Sequence, residues 1–155
     1  MKNYKTALRK YEYHAKHFEK RSRTYLQIAR CYRELGNLRM ANKWYDKFMR
    51  SYPKHRKTEE ILWSRGWDAE EETQYDKAIS FYQKILPAFE GEKRGRWVRF
   101  RIGYCLYKQQ NYVTARDQFI KATQQKTDGM EIPAAYYWLA LTEEKLNQRE
   151  NAKNG

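Results

Sequence analysis

The chain has 155 residues, 41% of them hydrophobic and 16% aromatic, which argues for one domain with a buried core and against disorder. Three prolines and seven glycines among many Lys, Glu, Gln, Arg, Ala and Leu favour helix over a many-stranded sheet; no apolar run approaches the ~20 residues that span a membrane, and the opening MKNYKTALRKYEYH has no signal-peptide core. Thirty-two Lys and Arg against nineteen Asp and Glu give a net charge of +13, which suits an anionic partner or surface without naming one.

Apolar spacing predicts helices, in chain order, at 3–19, 22–35, 38–51, 57–72, 75–88, 93–109, 112–125 and 132–147. The first opens on NYKTA (3–7), and the seventh opens on nearly the same words, NYVTA (111–115). The alanine of that phrase recurs as Ala7, Ala41, Ala78, Ala115 and Ala152, at intervals of 34, 37, 37 and 37 residues. Twelve residues before each marker but the first stands another small residue, Ala29, Gly66, Gly103 and Ala140; four residues after it stands an aromatic, Tyr11, Tyr45, Tyr82 and Phe119. Antiparallel helices approach to roughly 8–10 Å only where the side chains at the crossing are small, so one small residue on each helix marks the contact.

The inward stripe of a first helix runs Tyr25, Ile28, Ala29, Tyr32. On second helices it runs Leu38, Ala41, Tyr45, Phe48; Tyr75, Ala78, Tyr82, Ile85; and Tyr112, Ala115, Phe119, Ala122. A polar turn separates the two helices of a pair, most plainly ELGN at 34–37. This periodicity predicts one all-α, right-handed superhelix of antiparallel pairs over residues 1–155: a half repeat at 1–21, full repeats at 22–58, 59–95 and 96–132, and a partial repeat at 133–155. QRENAKNG is where a further second helix is expected to open. Four periods cut at the same phase at both ends suggest a fragment of a longer superhelix, the alternative being an unpaired capping helix at the N-terminus.

The pattern resembles the tetratricopeptide repeat (TPR), whose first helix carries an aromatic, Leu, a small residue and an aromatic, and whose second carries Ala, an aromatic, Ala and a closing Pro. Residues 22–55 match best, with Tyr25, Ile28, Ala29, Tyr32, Gly36, Ala41, Tyr45 and Pro53 at the family positions. Other copies depart from it: Arg65 and Arg99 replace apolar residues, Glu143 replaces an aromatic, and three extra residues per unit lengthen the loops between pairs, PKHRKT, FEGEKRG and KTDGMEI.

Little in the chain suits catalysis or a cofactor. His14, His17 and His55 do not make the three or four convergent ligands of a metal site. Cys31 and Cys105 hold the same repeat position two units apart, too far for a disulfide, and read as packed thiols. There is no phosphate-cradling Gly-rich loop, nucleophile elbow or HExxH, and Glu70, Glu71 and Glu72 fall at a predicted helix end in solvent. The reading is a chain with no catalytic residues, no metal and no cofactor.

A second stripe on the sixth helix, Trp97, Phe100, Tyr104, Tyr107, lies beside the packing stripe Ile102, Gly103, Leu106. In the same register the preceding first helix carries Glu60, Trp63, Trp67, Glu70, and the following one Ala134, Tyr137, Leu141, Glu144. By resemblance to the repeat family, these positions line a concave groove that takes an extended peptide or a helix. The candidate binding residues are Trp63, Trp67, Trp97, Phe100, Tyr104, Tyr107 and Tyr137, with Arg30 and Arg33 at one end. The alternative is that a tight superhelix buries these rings, Trp97 and Phe100 before Trp67 and Tyr107, which sit nearer the turn. Nucleic acid fits the basic charge, but Glu60, Glu70 and Glu144 would repel a phosphate chain.

The segment 61–86, ILWSRGWDAEEETQYDKAISFYQKIL, together with 134–146, also resembles the non-catalytic superhelix of soluble lytic murein transglycosylases. Those arms recur to W-x-x-G-W, Y-x-x-A and Y-W-x-A, matched here by Trp63, Gly66, Trp67; Tyr75, Ala78; and Tyr137, Trp138, Ala140. The resemblance implies an interaction arm of a periplasmic enzyme that binds its own catalytic domain or peptidoglycan. Without it, the expectation is a cytoplasmic adaptor for a protein or peptide.

Overall fold

The computed structural model describes residues 3–17, 22–89, 91–124 and 132–155, and among these it contains helices and no strand. Their order is α1 (Tyr4–His17), α2 (Ser22–Glu34), α3 (Leu38–Ser51), α4 (Arg56–Glu71), α5 (Tyr75–Ile85), a 3₁₀ turn at Leu86–Ala88, α6 (Lys93–Lys108), α7 (Tyr112–Gln124) and α8 (Pro133–Asn154). The predicted ends at 18–19 and 125, and all of the KTDGMEI loop but its last residue, lie outside the described residues.

The recurring phrase is a helix start. Asn3 accepts a hydrogen bond from the Thr6 N–H at 3.2 Å, and Asn37 accepts one from the Met40 N–H at 3.1 Å, each satisfying a donor that the first turn leaves without a partner. Asn111 accepts instead from the Thr114 hydroxyl at 3.0 Å. At the corresponding place before α5 stands Gln74, whose side chain makes no cap bond.

The turns within pairs share one hydrogen-bond pattern. Before α3, the Gly36 N–H donates to the Arg33 carbonyl and the Asn37 N–H to that of Tyr32. Before α5 the same two bonds run from Thr73 to Glu70 and from Gln74 to Ala69, and before α7 from Gln110 to Tyr107 and from Asn111 to Leu106. Closing a helix this way needs a left-handed residue, and Gly36, Thr73 and Gln110 have φ of 78°, 57° and 62°. Only the first is a glycine; the β-branched Thr73 holds this conformation at a steric cost. Asn147, one 37-residue step beyond Gln110, does not make the turn: α8 continues to Asn154, so no further second helix opens at QRENAKNG. KLNQRENAKN carries no glycine or proline to break it. Ala140 is correspondingly exposed, with no second helix against it.

The chain divides into two compact units, Met1–Ile61 and Leu62–Gly155. In the first, Tyr25, Ile28, Ala29 and Cys31 of α2 are buried with Ala41 and Phe48 of α3, while Leu38, expected inward, is 60% exposed. Beside this core the Tyr32 hydroxyl of α2 donates to Glu12 of α1 at 2.5 Å, a bond that pushes the Tyr32 pKa up to about 12. The second unit buries Tyr82 against α4 and Phe119 against α6, both with no exposed surface. There the small residues have a steric reason: a Cβ on Gly66 would lie 2.4 Å from the Tyr82 ring, and one on Gly103 would lie 2.8 Å from that of Phe119. Both are well inside carbon–carbon contact distance.

Two outcomes follow for stability, each read by chemical denaturation. Thr73→Gly with Gln74→Asn, which rebuilds the Gly-Asn turn found at 36–37, is expected to stabilise the chain by about 1 kcal/mol or more. Gly103→Ala is expected to cost ~1–3 kcal/mol, because the enclosed Phe119 ring has nowhere to move.

Candidate functional site

In the second unit one contact leads to the next. Because Gly66 has no side chain, the Tyr82 ring of α5 packs closely against α4, and its hydroxyl reaches Glu70 one turn further along, donating to Oε1 at 2.7 Å. Arg101 of α6 donates to the same carboxylate through Nε (2.9 Å, to Oε1) and through Nη2 (to Oε2), a two-pronged pair. Glu70 is buried, so the expectation of a solvated helix-end carboxylate holds only for Glu71 and Glu72, which are exposed. Glu70 lies on α4 one turn after Gly66, on the side that meets Tyr82 and Arg101.

Held by that carboxylate, the Arg101 guanidinium spreads over three rings: Trp67 at 4.6 Å, Tyr104 at 5.0 Å and Phe100 at 5.8 Å. Burial lowers its pKa, but the Glu70 hydrogen bond and charge outweigh that, and the net direction is upward. Burial and the Glu70 bond likewise push the Tyr82 hydroxyl up, so it stays a donor. Cys105 is enclosed beside them; burial first, and the Glu70 charge second, push its thiol up to about 12. Cys31 is shifted upward too, mainly by burial, and both cysteines are free.

Along the same side of α6 and α8 the rings interlock edge to face. Tyr104 meets Trp138 at 4.9 Å and Tyr107 meets it at 5.0 Å, with Tyr112 closing behind Tyr107 at 5.1 Å. Tyr137 stands beside Trp138 at 5.9 Å and is 62% exposed. Trp67 is 50% exposed and Trp97 40%.

The proposed groove residues therefore divide. Trp67, Tyr104, Tyr107 and Tyr137 come together around Arg101 and Trp138, with Trp97 at the edge. Phe100 is a correction: at 4% exposure it belongs to the core with Ala115, Phe119, Ala122, Ile132 and Ala135, because its position on α6 faces α7 and not the open side. Trp63 is half-buried and leans on Tyr82 at 5.4 Å, which makes it a packing residue more than a contact residue. Arg30 and Arg33 are exposed on α2, in the other unit. The candidate groove residues leave out Arg101 and Trp138, the latter named only in the Y-W-x-A match, although these two side chains organise this face. The available signal is the 37-residue step, which aligns Trp67 with Tyr104 and places Arg101 one turn before the latter.

Among the described residues, no group of three or more His, Cys, Asp or Glu gathers as a metal site. His17 stacks on Tyr13 at 4.2 Å and His55 packs edge-on against Phe48 at 5.2 Å, the roles of surface and packing histidines. None of the described helices is long and apolar enough to cross a membrane.

Comparison with known proteins agrees with this architecture. Residues 23–55 match the tetratricopeptide repeat family model. Over 77 residues, 48% of the chain, the sequence is 30% identical to the serine/threonine-protein kinase PknD of Chlamydia caviae, and equally to PknD of Chlamydia abortus; the chain spans only 8% of the length of these curated relatives. Among solved structures it is similar to MamA AMB-1 (TM-score 0.61, 21% identity, 96% of this chain and 76% of that one) and to MamA MSR-1 (TM-score 0.56, 20% identity, 96% and 80%). The chain thus has the fold of a TPR-like helical solenoid, with a recognisable tetratricopeptide repeat at 23–55.

The buried thiol makes stability depend on pH in a defined direction. In the unfolded chain Cys105 loses its proton near the ordinary 9.0, whereas the folded thiol keeps it until about 12. The stabilisation is therefore complete below pH 9 and is lost as pH rises from there toward 12. Urea unfolding from pH 7 to 10.5 is expected to show a decline beginning near pH 9, shallower in Cys105→Ala, with Tyr82 adding to the loss above its ordinary value of 10.0.

Proposed function

We propose that the chain is a non-catalytic protein-interaction module and that its second unit grips a peptide or helix from a partner on the face formed by α4, α6 and α8. The observation that carries this reading is the state of Trp67: half-exposed, yet fixed in place by an arginine that is anchored to a buried carboxylate. A surface ring held this way loses little freedom on binding, so its apolar area is spent on the partner and not on ordering itself. Tyr104, Tyr107 and Tyr137 continue the surface with hydroxyls on apolar rings, the mixture that suits a peptide's alternating backbone and side chains. The tetratricopeptide match supports protein partners as the class. The matched kinases share only a short stretch with this chain, so kinase activity is not carried over.

A superhelical arm of a murein-processing enzyme is a narrower version of the same module. Its W-x-x-G-W motif rests here on residues that packing already explains: Gly66 admits the Tyr82 ring, and Trp63 leans on it. Peptidoglycan and nucleic acid draw no support from the geometry of this face.

Selection from a displayed peptide library, followed by calorimetry on the selected peptide, tests the reading. Trp67→Ala and Tyr137→Ala are each expected to weaken binding by about tenfold with a melting temperature close to that of the parent, while Phe100→Ala is expected to cost ~3–5 kcal/mol of stability as a core truncation. Peptides that bind equally well to Trp67→Ala and Tyr137→Ala would show that the partner sits elsewhere.

A further inference from the structure

Charge is not shared evenly between the two units. Residues 1–61 hold seventeen Lys and Arg against six Asp and Glu, a net +11, and residues 62–155 hold fifteen against thirteen, a net +2. The basic character of the whole chain is thus that of its N-terminal unit. Within that unit residues of α1, α2 and α3 line a half-open cavity of about 270 Å³: Ala15, Tyr25, Trp44, Lys47, Arg50 and Ser51.

Its walls are informative. Trp44 and the buried Tyr25 form an apolar floor with centroids 5.7 Å apart, and the Lys47 ammonium lies 4.3 Å over the Trp44 ring. Arg50 and Ser51 are exposed at the rim, where a guanidinium and a hydroxyl offer donors. Among the described residues that line the cavity there is no carboxylate, while Lys47 and Arg50 both do so. Two cations beside a concave apolar floor, in a body of net +11, form a site for an anion with an apolar stem.

We propose that this cavity binds an acidic segment of a partner protein, an Asp or Glu side chain entering between Lys47 and Arg50 with its stem against Tyr25 and Trp44. Size and wall geometry favour that occupant. The cavity, about 270 Å³ and open on one side, has room for a side chain with its flanking backbone. A nucleobase needs an open aromatic face, whereas one face of Trp44 carries Lys47 and Tyr25 is tilted against it by 53°. The site is separate from the aromatic face of the second unit and stands or falls independently of it.

The test uses fluorescence anisotropy at physiological ionic strength with four probes: a labelled Asp/Glu-rich peptide, its Asn/Gln counterpart, a single-stranded oligonucleotide and vesicles containing an anionic phospholipid. The acidic peptide is expected to bind saturably and its amide counterpart not. Lys47→Gln and Arg50→Gln should each weaken it by about tenfold, the scale of one lost charge-assisted contact, and Lys47→Arg should retain most of the affinity. The control Lys10→Gln/Arg39→Gln removes two charges of the same unit outside the cavity and should stay within about twofold of the parent. Circular dichroism checks that the variants fold, which the partial or full exposure of all four side chains leads one to expect. Equal weakening by the control, absence of saturable peptide binding, or dependence on Lys47 and Arg50 seen only with oligonucleotide or vesicle would overturn the proposal.

Discussion

A missing side chain organises the second unit. With no Cβ on Gly66, the Tyr82 ring can lie against the α4 backbone, and everything on the open side depends on where that ring stops. Its hydroxyl reaches Glu70, Glu70 takes Arg101, and Arg101 covers Trp67, so a steric allowance inside a helix pair ends as a fixed aromatic ring on a surface. Each link relieves a cost created by the one before. A buried carboxylate without partners would be expensive; a phenol and a guanidinium share it, and the guanidinium's outer surface is met by rings. Gly103 and Phe119 repeat the steric half of the device.

The two units differ in the chemistry they present. In Leu62–Gly155 nearly balanced charge and interlocked Tyr and Trp rings make a surface suited to apolar and amide groups. Met1–Ile61 carries most of the net positive charge and holds a small aromatic-floored cavity that two of its basic residues line. A net charge of +13 assigned to the chain as a whole invites thoughts of nucleic acid; once divided, it leaves the second unit with a net +2 and weakens the polyanion argument there.

Part of this was legible beforehand because it is periodic. The starts of α1 and α3 are set by local bonds over three residues, as Asn3 and Asn37 show, and local bonds leave a mark in sequence. Burial of Ala41, Ala78 and Ala115 likewise follows from their spacing. The site was harder to read. Phe100 and Tyr104 share a stripe, yet one is in the core and the other half-open, since a stripe on α6 is covered only as far as α7 and α8 reach across it. Glu70, Glu71 and Glu72 look alike in sequence, and only the packing of α6 against α4 makes the first a buried ion-pair partner and leaves the other two solvated.

The sequence by itself determined the helices, their pairing, the 37-residue step and the small residues at the crossings, because each of these depends on neighbours within a few residues or on a repeated spacing. Tertiary structure alone decided which aromatic rings face out, which carboxylate goes under, and that Lys47 and Arg50 flank one cavity. Those outcomes depend on partners as far away along the chain as Glu70 and Arg101, thirty-one residues apart, and on how far one helix overlaps another, which no local pattern encodes.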